Sequence, residues 1–154
     1  MTKRERIDDF LGQKRLALVG VSHRPKDFTR LLLSEFMRRG YDVVAVNPSV
    51  IEIDGVPCFP RIQDVSPPVD GVLLLTPAAV SETIASDCVE AGVRRVWFYR
   101  ALGEGAVSRK AAEYCEARGV QVIAGGCPFM FWRGSGWIHH MHAALAKITG
   151  TYPR

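Results

Sequence analysis

The chain has 154 residues, 47% hydrophobic and 23% charged, which suits one globular domain with a sizeable core and leaves no room for a second catalytic domain. No run of 18 apolar residues occurs, so no membrane span is expected, and the charged opening "MTKRERIDDF" lacks the apolar stretch of a secretory signal, making a cytoplasmic protein the expectation. The net charge of +4 is unevenly placed: residues 1–39 hold ten Lys and Arg against five acids, a local +5 that leaves −1 for the remainder.

In chain order, Thr2 to Gly12 reads as an N-terminal helix that packs through Ile7, Phe10 and Leu11. "LALVG" from Leu16 is the first of five short apolar runs rich in β-branched and large residues, each expected to be a strand buried on both faces. The others are "DVVAV" from Asp42, "GVLLL" from Gly71, "RRVWF" from Arg94 and "VQVIA" from Val120. Helical stripes fill the intervals. Phe28, Leu31, Leu32, Phe36 and Met37 form one, stopped near Gly40; Val80, Ile84, Cys88 and Ala91 form another, opened by Thr76–Pro77 and stopped at Gly92; Val107, Ala111, Tyr114 and Cys115 form the next, stopped at Gly119. The stretch from Val46 to Gly71 is the least regular and leaves room for only one short helix near Arg61 to Val65. Residues 129–150 read as an aromatic loop followed by a helix from about Trp137 to Ile148.

Strand, crossover and strand repeated in this way predict an α/β fold: a doubly wound, parallel five-stranded sheet with flanking helices, in a single domain over 1–154 whose core is about 12–128. Ligands of such sheets bind beyond the carboxyl ends of the strands, where the strand order reverses. The residues just after each strand are therefore the ones that carry function.

After the first strand comes Gly20-Val21-Ser22-His23-Arg24. A glycine lets backbone approach a ligand, Ser22 offers a hydroxyl, and the following helix start presents N–H groups, an arrangement that fits phosphate. Lys26 and Arg30 add nearby positive charge; a polyanionic ligand and a merely solvated basic face both account for it. The loop lacks G-x-G-x-x-G, having Ser22 and Pro25 where the later glycines would stand. After the second strand, Asn47-Pro48-Ser49 puts a neutral side chain where a nicotinamide-dinucleotide protein places an acid on the ribose. Thr76-Pro77 follows the third strand, Tyr99-Arg100 the fourth, and Gly125-Gly126-Cys127 the fifth. Arg100 could reach a phosphate or pair with Glu104.

Other chemistries have weaker support. Cys58, Cys88, Cys115 and Cys127 contain no Cys-x-x-Cys pair, so free thiols are expected, with Cys88 and Cys115 as small buried hydrophobes. Cys127 reads as a buried thiol, or as a partner for a ligand thiol in a mixed disulfide. Ser22 beside His23 has no acidic partner and no nucleophile elbow. His139 and His142 lie on one helical face, but a third metal ligand is missing, and with His140 they read as polar residues beside packing ones. Phe129, Phe131, Trp132 and Trp137 are expected to cover the core or to make a homo-oligomer contact rather than to meet a membrane. The aromatics are not interleaved with basic residues, so nucleic acid is not an expected partner.

The stretch from "LALVGVSHRPKDFTR" to "GVPCFP", with "VDGVLLLTP" and "RRVWF" after it, is similar to the small stand-alone CoA-binding proteins, whose Rossmann-like fold resembles the nucleotide-binding domain of the succinyl-CoA synthetase α subunit. The resemblance covers roughly residues 12–128 and rests on "GVS", "GYDVVAVNP", "GVPCFP" and the "VD" before the third strand. It implies that Gly20, Val21, Ser22 and Arg24 approach the phosphates of coenzyme A, that Asn47 and Pro48 lie near its adenosine, and that Thr76 and Pro77 form the turn after the third strand. It also implies binding of CoA or an acyl-CoA with no assigned reaction, against the alternative of a small NAD(P)-binding or redox-sensing protein. Ser49 stands where many relatives carry a Lys for the 3′-phosphate, so Arg24, Lys26 or Arg30 must supply that charge, and Arg100 stands where relatives often have Gln.

Overall fold

The computed structural model describes residues 1–132. Four helices and seven strands follow one another as α1 (Lys3–Leu11), β1 (Arg15–Val19), α2 (Phe28–Arg38), β2 (Asp42–Val46), β3 (Glu52–Ile53), β4 (Val56–Phe59), β5 (Gly71–Leu74), α3 (Ala78–Glu90), β6 (Arg95–Phe98), α4 (Arg109–Glu116) and β7 (Gln121–Ala124). The sheet order is β3-β4-β2-β1-β5-β6-β7, parallel throughout except for β3 at one edge.

Burial follows the period of two along each strand. Leu16 and Leu18 of β1 face α1 and α2, joining Ile7, Phe10, Leu32, Leu33 and Phe36, whereas Ala17 and Val19 face the layer that contains Ala85 and Cys88 of α3 and Ala111 and Cys115 of α4. The five expected strands are all present, four within the expected stretches and β1 beginning one residue earlier, at Arg15. Seven replace five because Glu52–Ile53 and Val56–Phe59 form an antiparallel hairpin in the stretch expected to be irregular. Its two-residue turn, Asp54-Gly55, holds both residues at positive φ, 52° and 80°, the conformation that matches strand twist in a tight hairpin. The short helix expected near Arg61 to Val65 is a 3₁₀ turn over Ile62–Asp64.

Two apolar stripes are rotated from expectation. Leu31 and Met37 are exposed and α2 buries Leu32, Leu33 and Phe36 instead; Val80 is exposed and α3 buries Ser81, Ala85 and Cys88. Ser81 is tolerated inside because its hydroxyl lies 2.8 Å from that of Thr76. All four cysteines are free, and Cys88, Cys115 and Cys127 are fully buried. Phe129 and Trp132 are buried and pack edge-on to one another at 5.4 Å, so this part of the aromatic segment belongs to the core.

At the amino edge, Asp70 of the "VD" motif accepts a hydrogen bond from the Arg15 backbone N–H at 3.0 Å. Asp9 of α1 accepts from Arg95 Nε at 2.6 Å and from Gln121 at 2.9 Å. The Arg95 hydrogen bond holds the Asp9 carboxyl below the usual carboxylate range. A depressed folded-state pKa adds stability that is complete above the unfolded carboxylate value and disappears as pH falls through the folded one. Asp9→Asn is therefore expected to cost about 1 kcal/mol at pH 7, with the gap to wild type closing below about pH 4. Urea melts at pH 7 and pH 3 check this, and an equal gap at both pH values contradicts it.

Candidate functional site

Register brings the strand-end residues into one row. Val19 pairs with Val46 on one side and Leu74 on the other, Leu74 with Phe98, and Phe98 with Ala124. The residues that follow, Gly20, Asn47, Leu75–Thr76, Tyr99–Arg100 and Gly125–Gly126, therefore share the carboxyl edge. The chain leaves β1 first towards β2 and later returns on its other side at β5, so the order reverses at Gly20.

Gly20 has φ +97°, and a Cβ there would stand 3.0 Å from the Leu75 carbonyl carbon and 3.1 Å from both its oxygen and Thr76 Cγ2. The glycine is what allows the β1 and β5 turns to touch. Beyond it, the Ser22 N–H donates to Thr29 Oγ1 at 2.8 Å, and the Thr29 hydroxyl donates to Asp27 at 2.6 Å. Asp27 also caps α2 by accepting from the Thr29 N–H, and these Thr29 bonds hold its carboxyl below the usual range. The helix start thus already carries an anion, and the Ser22 N–H is already used. What remains for a phosphate are the N–H groups of Val21 and His23, which have no acceptor among the described residues, and the exposed side chains of His23, Arg24 and Lys26. Ser22 Oγ accepts from the Arg24 N–H at 3.1 Å, which closes the loop.

Arg30 has a different position from the other cations. Its side chain is only 11% exposed, pairs with Asp54 through Nε at 3.0 Å, and donates to the His23 carbonyl at 3.1 Å. It ties the first loop to the tip of the β3–β4 hairpin, so Arg24 and Lys26 remain as the freely presented positive charge.

Asn47 acts as a turn former: its Oδ1 accepts from the Ser49 N–H at 2.8 Å, and its own N–H donates to Phe59 at 2.9 Å. A cavity of about 440 Å³ opens beside it, lined by residues 47–52 with Cys58 and Pro60. Pro48 and Ser49 are exposed at its mouth. A cavity of the same volume at the amino edge, between Leu11, Lys14, Tyr41 and Trp132, lies away from every strand-end turn.

Thr76 is buried and turned inward to Ser81, while Pro77 is exposed at the start of α3. Tyr99 is half-buried beside Phe28, ring to ring at 5.8 Å, which brings the end of β6 against the start of α2. Its hydroxyl pKa is raised by burial and by Cys127, and burial pushes the Cys127 thiol up to about 11. Arg100 is fixed by paired backbone bonds to Gly126, at 3.2 and 2.7 Å, and its guanidinium lies against Gly125. It makes no ion pair with Glu104.

Residues 14–133 match the family described as "CoA binding domain". The chain belongs to that family. The chain is 25% identical over 114 residues to the uncharacterized protein YneT of Bacillus subtilis, covering 74% of this chain and 82% of that protein. It is 30% identical over 120 residues to acetate–CoA ligase (ADP-forming) I of Archaeoglobus fulgidus, covering 74% of this chain but only 18% of the ligase. A hypothetical protein from Pyrococcus horikoshii shares its fold, with a TM-score of 0.75 at 24% identity, over 83% of this chain and 87% of that one.

Several residues of the carboxyl edge are not evident from the sequence. Thr29 and Asp54 hold the first loop through partners 7 and 24 residues away, and Lys3, at the far end of the chain from β7, donates to Ala124 O at 2.7 Å. Only Asp54 had a usable signal, since Asp-Gly between Ile53 and Val56 is a hairpin signature. Trp137, His139, His140 and His142, the expected C-terminal helix and an oligomer contact through it lie outside the described residues.

Proposed function

We propose that this domain binds coenzyme A, free or acylated, with the diphosphate at Gly20–Arg24 and the adenosine across the ends of β1 and β2, and that it makes or breaks no bond itself. The observation that carries the reading is the close approach of Gly20 to Leu75 at the reversal of strand order, in a chain of the CoA binding domain family. The exposed Arg24 and Lys26 supply charge-assisted contacts. Support comes also from the likeness to a ligase with CoA in its name, of which this chain corresponds to 18%. The groups at the edge that could act as nucleophiles or acids are muted: burial pushes the Cys127 thiol up to about 11, and Ser22 Oγ accepts from the Arg24 N–H. For NAD, the alternative lacks the acid that would hold the ribose hydroxyls after β2, where Asn47 stands folded into its own turn.

A ligand that binds only the native state raises the thermal midpoint by mass action. CoA is expected to raise it and NAD to leave it unchanged; a shift with NADP and none with CoA contradicts the reading. Arg24→Ala is expected to weaken CoA binding by about 1–3 kcal/mol, the scale of a lost hydrogen bond to a charged group. Unchanged affinity removes Arg24 from the site.

A further inference from the structure

We propose that Lys3 and Arg100 form a second oxyanion site, at the β6–β7 end of the carboxyl edge, which accepts a carboxylate or a phosphate. Both cations abut consecutive residues of one turn. Lys3 Nζ sits 2.7 Å from Ala124 O, and a Cβ on Gly125 would fall 3.1 Å from Arg100 Nη2 and 3.2 Å from Nε. Gly125 is thus what lets the guanidinium lie on the backbone. The paired bonds between Arg100 and Gly126 fix where that side chain begins.

The pair lacks the partners that its neighbours have. Arg4 and Arg6, on the same helix as Lys3, each meet a carboxylate within 4.0 Å, whereas Lys3 and Arg100 meet none among the described residues. The nearby Glu5 uses its carboxylate on the Thr2 N–H at 2.6 Å. Arg100 Nε is buried without an acceptor. Burial, and then repulsion from Arg100, lower the Lys3 pKa, as expected when two like charges share a partly buried place. Buried donors without acceptors are rare in proteins, and an ion or an ordered water is what ordinarily satisfies them. A planar guanidinium beside an ammonium matches the oxygens of a carboxylate or a phosphate.

The oxyanion has two sources. One is a free small anion. The other, which rests on the proposed function, is the far-end carboxylate of an acyl group on a thioester whose phosphates sit at β1, three strand spacings or about 14 Å from β7.

Titration calorimetry at constant ionic strength distinguishes them, with inorganic phosphate, acetyl-CoA and malonyl-CoA as probes against wild type, Arg100→Gln, Lys3→Gln and Arg24→Ala. For the free anion, phosphate binding at this site is weakened about tenfold or more by Arg100→Gln and Lys3→Gln, whereas any phosphate taken up at the first loop is weakened by Arg24→Ala instead. For the thioester, malonyl-CoA binds wild type more tightly than acetyl-CoA, and both Arg100→Gln and Lys3→Gln abolish the preference. Phosphate binding that depends on Arg100, with neither thioester bound, upholds this site and refutes the CoA reading. Thioesters bound without preference, together with phosphate that ignores Arg100 and Lys3, overturn the site and leave the CoA reading standing.

Discussion

Gly20→Val is expected to abolish CoA binding and to lower stability by about 2–5 kcal/mol. Two costs add. A β-branched residue is forced to φ +97°, and its Cβ meets the Leu75 backbone at 3.0–3.1 Å, atoms that cannot move aside as a flexible side chain could. Relief requires the β1 and β5 turns to separate, and that separation opens the place proposed for the diphosphate. Gly20→Ala carries the same φ penalty with less bulk and should lie between the two. Urea unfolding and CoA titration of both variants check this, and a Val variant with wild-type midpoint and affinity contradicts it.

Trp97→Ala should cost about 3–5 kcal/mol, the range for removing a large aromatic from a core. Trp97 is fully buried in β6, stands edge-on to Phe10 of α1 at 5.4 Å, and donates from Nε1 to Gly125 O at 3.1 Å. The ring links the α1 layer to the sheet, and the indole N–H holds the turn after β7. Trp97→Phe keeps most of the packing and loses the hydrogen bond, so it should cost about 1–2 kcal/mol. Equal losses for the two variants, measured by urea midpoint, would show that the packing contributes nothing separable from the hydrogen bond.

The strands were legible because strands buried on both faces must be continuous apolar runs, and β1, β2, β5 and β6 are covered by helices on both sides. Helix existence was legible from spacing, but helix rotation was not. Which of Leu31 or Leu33 turns inward depends on the angle at which α2 crosses the sheet, and Val80 yields its expected place to Ser81 because Thr76 offers that hydroxyl a partner. The hairpin escaped because β3 has only two residues and β4 contains Pro57, both of which depress a strand reading, although Asp54-Gly55 marked the turn. At the site, the position of each strand-end residue followed from chain order. Its allegiance did not: Arg30 looks like a phosphate ligand in sequence and is a clamp on Asp54 in space, and Ser22 spends its N–H on Thr29. Such assignments depend on contacts between segments far apart in the chain, which residue spacing does not encode.

Amide chemical-shift mapping of the ¹⁵N-labelled protein during titration with coenzyme A tests the central claim most directly. The account predicts the largest shifts at Gly20, Val21 and His23, with further shifts at Asn47, Ser49 and Thr76, and little change along the amino edge around Lys14 and Tyr41. Saturating CoA that leaves Gly20–Arg24 unmoved, or that moves only the amino edge, would contradict it.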